Sequence, residues 1–194
     1  MTAKKNSHRT KSGHRIGRRD FLAKGLALTA ACIFPHKAVA AVSKVFSAER
    51  SLSFYNTHTG ENIKAVYWGD GAYVPQALVD INYILRDYRT GEVKEIDADL
   101  LELLFGLQQK LESNGPFHII SGYRSPETNS LLSLMSRGVV KDSLHIEGEA
   151  IDIRLPGHEL KSLRRAAADL RRGGVGYYPL SDFVHVDVGR IRYW

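Results

Sequence analysis

Ser143-Leu144-His145-Ile146-Glu147-Gly148-Glu149-Ala150-Ile151-Asp152 leads from a loop into a strand, and Asp182-Phe183-Val184-His185-Val186-Asp187 reads as a second strand. Side chains of a strand point to alternate faces. In 183–188, Val184, Val186 and Val188 share one face, while Phe183, His185 and Asp187 share the other. In 149–154, Ile151 and Ile153 face one way and Ala150, Asp152 and Arg154 the other. Each strand thus has an aliphatic face for a core and a face bearing an imidazole or a carboxylate. If the two are neighbours in one sheet, Asp152 and His185 approach each other, and His145 closes a third side from the entering loop. Two imidazoles and a carboxylate, with a fourth position left to water, suit a catalytic zinc ion. Such an ion lowers the pKa of its water toward about 7 and polarises a peptide carbonyl. A plainer reading fits the same residues: a His-x-Asp pair on a solvated strand face and an ordinary loop histidine. Spacing alone leaves the metal unproven.

Outward from these strands, the chain mixes helical and strand patterns. Leu52 and Phe54 begin a strand, and Ile63, Ala65 and Tyr67 alternate in another, with a hairpin through Thr59-Gly60 between them. Leu78, Ile81, Leu85 and Tyr88 fit an amphipathic helix over 75–88. Asp97 can cap the next helix, whose apolar positions are Leu100, Leu103, Leu104, Leu107 and Leu111, and Gly115-Pro116 ends it. A strand over 117–121, a helix over 126–137 capped by Ser125, a helix over 159–172 and a strand over 175–178 complete the reading. No regular β-α-β beat runs through this order. It predicts an α+β fold: one domain, with a mainly antiparallel sheet carrying the metal site and helices packed against it.

The first forty residues predict a leader rather than part of the fold. Arg18-Arg19-Asp20-Phe21-Leu22 precedes a short apolar run, and Ala38-Val39-Ala40 is a small-x-small cleavage signature. The paired arginines resemble bacterial Tat signals, which makes the Tat export machinery an expected partner and the periplasm the expected location. The apolar run falls short of the ~20 residues of a spanning helix, so no stable membrane span is expected after cleavage. Lipid anchoring at Cys32 is disfavoured, because Thr29 stands where a lipidation box has an aliphatic residue. The expected division is a cleaved leader over 1–40, a flexible lead-in over 41–50 and a catalytic domain over 51–194.

Cleavage after Ala40 changes the electrostatics. The whole chain has a formal charge of +6, but the remaining 154 residues hold eighteen Lys/Arg against twenty Asp/Glu. The basic balance belongs to the leader and gives no support for nucleic-acid binding. Cys32, the sole cysteine, leaves with the leader, so disulfides are excluded and a metal must be held by His and carboxylate groups.

Ser143-x-His145-x-x-Gly148-x-Ala150-x-Asp152 resembles the signature of zinc D-Ala-D-Ala peptidases, in the superfamily with lysostaphin-type enzymes and the Hedgehog signalling domain. Asn56-Thr57-His58-Thr59-Gly60-Glu61, Ser121-Gly122-Tyr123-Arg124-Ser125, Gly173-Gly174-Val175-Gly176-Tyr177-Tyr178-Pro179 and Asp182-Phe183-Val184-His185-Val186-Asp187 resemble, more narrowly, the murein endopeptidase K family. The likeness runs from about residue 52 to Trp194.

The resemblance implies one Zn2+ per chain, with His145, Asp152 and His185 as its ligands, and peptidoglycan as substrate. Arg124 matches an arginine that holds an oxyanion or a substrate carboxylate; alternatively it only ties down a turn. Ser143 matches a hydroxyl that touches substrate, or it makes a simple loop hydrogen bond. Asp182, three residues before the last ligand, matches the general base of some relatives. Others use a His where this chain has Phe183. Asp187 competes for that role, but its place on the His185 face also suits an acceptor that orients the imidazole. Tyr177 and Tyr178 either line the groove or pack. His58, His118, Glu147, Glu149 and His158 are expected to be structural or surface residues. The implied activity is a zinc-dependent murein endopeptidase that cuts peptide cross-links. Its rivals are a D,D- or L,D-carboxypeptidase that trims stem peptides and a zinc-containing wall-binding module without catalysis.

Overall fold

The computed structural model describes residues 49–135, 140 and 142–194. The expected leader and most of the lead-in lie outside the described residues. Eight strands form a single sheet: β1 (Arg50–Asn56), β2 (Asn62–Gly69), β3 (Ala72–Tyr73), β4 (Phe117–Ser121), β5 (Ala150–Arg154), β6 (Gly174–Tyr178), β7 (Phe183–Asp187) and β8 (Arg192–Tyr193). Among the described residues the helices are α1 (Pro75–Ile84), α2 (Ala98–Lys110), α3 (Pro126–Met135), α4 (Leu144–Glu147) and α5 (Leu160–Leu170). The class is α+β, as expected. The sheet order is β3-β2-β1-β4-β5-β7-β6-β8, mostly antiparallel, with parallel pairs at β1–β4 and β6–β8.

Strand alternation decides which face is buried. Leu52 and Phe54 of β1, Tyr67 of β2, Phe117 and Ile119 of β4, Ile151 and Ile153 of β5, and Val184 and Val186 of β7 are almost completely buried. They meet Ile81 and Ile84 of α1, the leucines of α2, and Leu163, Ala166 and Ala167 of α5. Removing this apolar surface from water, at about 25 cal/mol per Å2, is the main drive for the assembly.

The helices begin where capping chemistry allows. Asp97 accepts from the Asp99 N–H at 2.7 Å, and Ser125 Oγ accepts from the Thr128 N–H at 3.1 Å. The structure departs from the sequence reading in several places. The first helix stops at Ile84 rather than at Tyr88, because the Leu85 carbonyl accepts from the Tyr123 N–H and Asp87 accepts from the Ser125 N–H. Residues 144–147 form one helical turn where a loop was expected. The short β3 and β8, both absent from the sequence reading, pair antiparallel with β2 and in parallel with β6.

Candidate metal centre

β5 and β7 are antiparallel neighbours, and their register sets Asp152 directly opposite His185. The sequence expectation about these two strands therefore holds in the backbone pairing. His145 arrives on the single turn of α4. Gly148 closes that turn in the left-handed region at φ 78°, where a side chain would meet the Glu95 carbonyl oxygen at 2.4 Å. Only glycine meets both conditions without strain.

The three side chains converge. His145 Nε2 lies 3.2 Å from His185 Nδ1 and 3.3 Å from Asp152 Oδ1, and His185 Nδ1 lies 2.8 Å from the same oxygen. His145 and Asp152 are buried, 1% and 3% exposed, and His185 is partly buried.

The other ends of the rings decide what this convergence means. His145 Nδ1 lies 2.7 Å from the Gly122 carbonyl, which can only accept, so the proton of the neutral ring sits on Nδ1. His185 Nε2 lies 3.0 Å from Asp187 Oδ2, which places that ring's proton on Nε2. The Nε2 of His145 then offers a lone pair, and the Nδ1 of His185 faces a carboxylate oxygen at 2.8 Å, an edge that takes either a second proton or a cation. The three atoms together could hold a metal ion. A tetrahedral zinc with bonds of about 2.0–2.1 Å has ligand–ligand edges of about 3.3–3.4 Å, close to the two His145 separations. The 2.8 Å between His185 Nδ1 and Asp152 Oδ1 would have to widen by about half an ångström. The donor chemistry of the three groups fits a metal ion.

The electrostatics agree. Burial alone would raise the Asp152 carboxyl, but the two imidazoles and Arg124 outweigh it and hold the group well below the usual carboxylate range. Burial disfavours protonation of His145 and lowers its pKa. For His185, burial acts the same way, but hydrogen bonds to Asp152 and Asp187 prevail and raise it. The gap between His185 and Asp152 thus attracts positive charge, whether as a proton or as a metal ion.

Arg124 sits against the cluster by three contacts. Its N–H donates to the His145 carbonyl at 3.1 Å, its Nε to Ser121 Oγ at 2.7 Å, and its Nη2 to Asp152 Oδ2. Asp187 is fully buried and accepts from His185, from both terminal nitrogens of Arg192, and from the Gly174 and Gly189 N–H groups. Every contact of Asp187 is thus with the supporting structure, in keeping with an orienting acceptor. Asp182 is placed differently: at φ 53° on an exposed turn, it pairs with Arg154 at 2.8 Å and is not among the converging groups.

A cavity of about 720 Å3 opens over the cluster, lined among others by Arg124, Asp142, Ser143, Tyr178, Phe183 and Trp194. Ser143 is buried at the head of α4, and its side chain makes no capping bond. Tyr178 stacks on Phe183 at 4.6 Å, whereas Tyr177 lies under the Arg164 guanidinium. His58 stacks on Tyr88 at 3.8 Å, with Nε2 3.0 Å from the Ile120 carbonyl, and His118 tilts against Tyr55. Neither belongs to the cluster. Asp142, Arg192 and Trp194 were missed in the sequence, since none has a periodic or motif position that points to the site.

A family model described as peptidoglycan L,D-endopeptidase MepK matches residues 44–194. The protein of that name from Escherichia coli strain K12 is 44% identical over 177 residues, 91% of this chain and 96% of the relative. A Haemophilus influenzae protein named probable peptidoglycan L,D-endopeptidase MepK is 40% identical over 163 residues, 84% of this chain and 87% of the relative. The matched range contains the whole sheet and all three converging side chains, and this chain belongs to the peptidoglycan L,D-endopeptidase MepK family.

Proposed function

We propose that this protein is a zinc-dependent endopeptidase that hydrolyses peptide cross-links of peptidoglycan, with the L,D type suggested by the shared description of its relatives. The observation that carries the metal is the meeting of His145 Nε2, His185 Nδ1 and Asp152 Oδ1 with their ring protons turned outward. When bound, Zn2+ supplies Lewis acidity and a water that ionises near neutral pH. Gly122 and Asp187 hold the two imidazoles in the required tautomers, and Arg124 occupies Asp152 Oδ2 so that Oδ1 faces the imidazoles.

In this reading Asp182 takes the proton of the attacking water and returns it to the leaving amine. Its pairing with Arg154 means that this carboxylate must first exchange partners. Asp142, which lines the cavity beside Ser143, is the rival carboxylate for this role. Arg124, through N–H groups not used by Ser121 and Asp152, donates to the developing oxyanion, and Ser143 contacts the substrate backbone. The fold is proposed to be of the Hedgehog/DD-peptidase kind.

The N–H groups of Arg124 left over by Asp152 and Ser121 could receive either an oxyanion or a terminal carboxylate, so the products distinguish an endopeptidase from a carboxypeptidase. Export through the Tat route, with removal of 1–40, would deliver the enzyme to its substrate. Among the described residues no helix is long and apolar enough to cross a membrane.

Purified peptidoglycan incubated with the protein, with and without a chelator, tests the proposal by mass spectrometry of the products. Cleaved cross-links that vanish with chelation are expected. Release of single terminal residues would establish the carboxypeptidase instead, and zinc binding without any product would leave the binding module.

A further inference from the structure

Asp187 and His185 are held by a short piece of chain, residues 192–194, that also reaches the wall of the cavity over the cluster. β8 lies parallel to β6, with Gly174 opposite Arg192 and Val175 opposite Tyr193. Trp194 continues the pairing: its N–H donates to the Val175 carbonyl at 3.2 Å, and its carbonyl accepts from the Tyr177 N–H at 3.0 Å. Arg192 grips Asp187 with both terminal nitrogens, at 3.0 and 2.7 Å. The Trp194 ring lies 5.3 Å from the His185 ring, and its Nε1 donates to Tyr178 Oη at 2.7 Å. The Arg192 guanidinium, 5.0 Å from the Trp194 ring, joins the two grips.

The facing strand is cut away to admit this arrangement. A side chain at Gly174 would meet Asp187 Oδ2 at 2.4 Å and Arg192 at 2.5 Å, and one at Gly176 would meet the Trp194 indole at 2.7 Å. Gly176 is also the residue paired with His185 across β6 and β7. Two bare positions on one strand face thus leave room for the guanidinium–carboxylate pair and for the indole beside the imidazole. Packing alone does not require such a surface, because apolar side chains at 174 and 176 would fill it.

We propose that residues 192–194 are a positioning device for His185: Arg192 acts through Asp187 on the Nε2 edge of the ring, Trp194 braces the ring itself, and together they set how tightly the centre holds its metal. This rests on the metal reading above. Loss of an outer partner of a ligating histidine typically weakens metal binding about 10–100-fold.

The test is the Zn2+ affinity of the purified full chain, measured by competition with a chromogenic chelator, with the melting of the metal-free protein as control for folding. Arg192→Ala is expected to weaken zinc binding by about 10–100-fold. Arg192→Lys keeps the charge but loses the planar fork, and should fall between parent and Arg192→Ala. Trp194→Phe, which keeps an aromatic face, should bind closer to the parent than Trp194→Ala. Gly176→Ala displaces the indole while leaving every donor in place, and should cost about tenfold. A parent that binds one zinc, with Arg192→Ala and Gly176→Ala binding as tightly, overturns the proposal and leaves the metal reading standing. A folded parent that binds no zinc overturns both. If Arg192→Ala melts below the assay temperature, Arg192→Lys and Gly176→Ala decide by the same comparison.

Discussion

Asp152 spends its two oxygens on different tasks. Oδ1 faces the two imidazoles, and Oδ2 accepts from Arg124. Asp152→Asn keeps the shape of the side chain and removes the charge, so the cluster loses its one anionic ligand and Arg124 its partner. Zinc affinity should fall by more than the roughly 10–100-fold typical of an outer partner; a chelator competition that finds parent-like affinity would remove Asp152 from the ligand set. The base is a separate question at the same scale. Asp182→Asn should lower kcat by about 10²–10⁴-fold with zinc still bound, as loss of a general base does. Asp142→Asn, measured beside it, should leave kcat near the parent value; the opposite pattern would give the role to Asp142. Asp187 is a poor candidate for either outcome, because the supporting structure already surrounds both its oxygens.

Among the elements, the faces of β5 and β7 were legible because both strands alternate, with valines and isoleucines on one face and Asp152 and His185 on the other. Their pairing and register were not, since alternation does not say which strands are neighbours. The turn holding His145 was not legible, since four residues carry no helical period and Gly148 fits a loop equally well. Nor was the early end of α1, which depends on contacts distant in sequence. There the buried carboxylate of Asp87 accepts from the Arg89 and Ser125 N–H groups, both at 2.9 Å, and so anchors the segment that carries Gly122 and Arg124. Burial pushes its pKa up, but hydrogen bonds from Thr128, Ser125 and Arg89 prevail and hold it below the usual carboxylate range. A carboxyl depressed on folding stabilises the protein above its unfolded pKa, and that stabilisation is lost as pH falls through the folded value. Asp87→Asn should therefore unfold more easily than the parent at neutral pH, with the gap narrowing progressively in the acid range as the carboxyl takes up its proton. Denaturant melts at pH 7, 5 and 3 would show this, and a gap independent of pH would mean that the charge of Asp87 is not what anchors the segment.

For the whole molecule, the matched family range of 44–194 begins just beyond the cut expected after Ala40. Protein recovered from the periplasm of a producing cell should have a mass that starts at residue 41; an intact precursor mass there would refute the cleavage. Within the remaining chain, the proposed ligands come from α4, β5 and β7, while their outer partners Gly122, Arg124 and Asp187 lie in the β4–α3 connection and on β7. One ion would thus tie together parts of the chain that are distant in sequence, and its binding free energy would add to that of folding. Free zinc at a thousand times its dissociation constant should stabilise the protein by about 4 kcal/mol. For a domain of this size that corresponds to a rise in Tm of roughly 8–16 °C. A chelator should reverse the rise, and Asp152→Asn should show little of it. Equal melting with zinc and with chelator, in a protein that still cleaves peptidoglycan, would mean that the three convergent side chains serve the reaction without the ion.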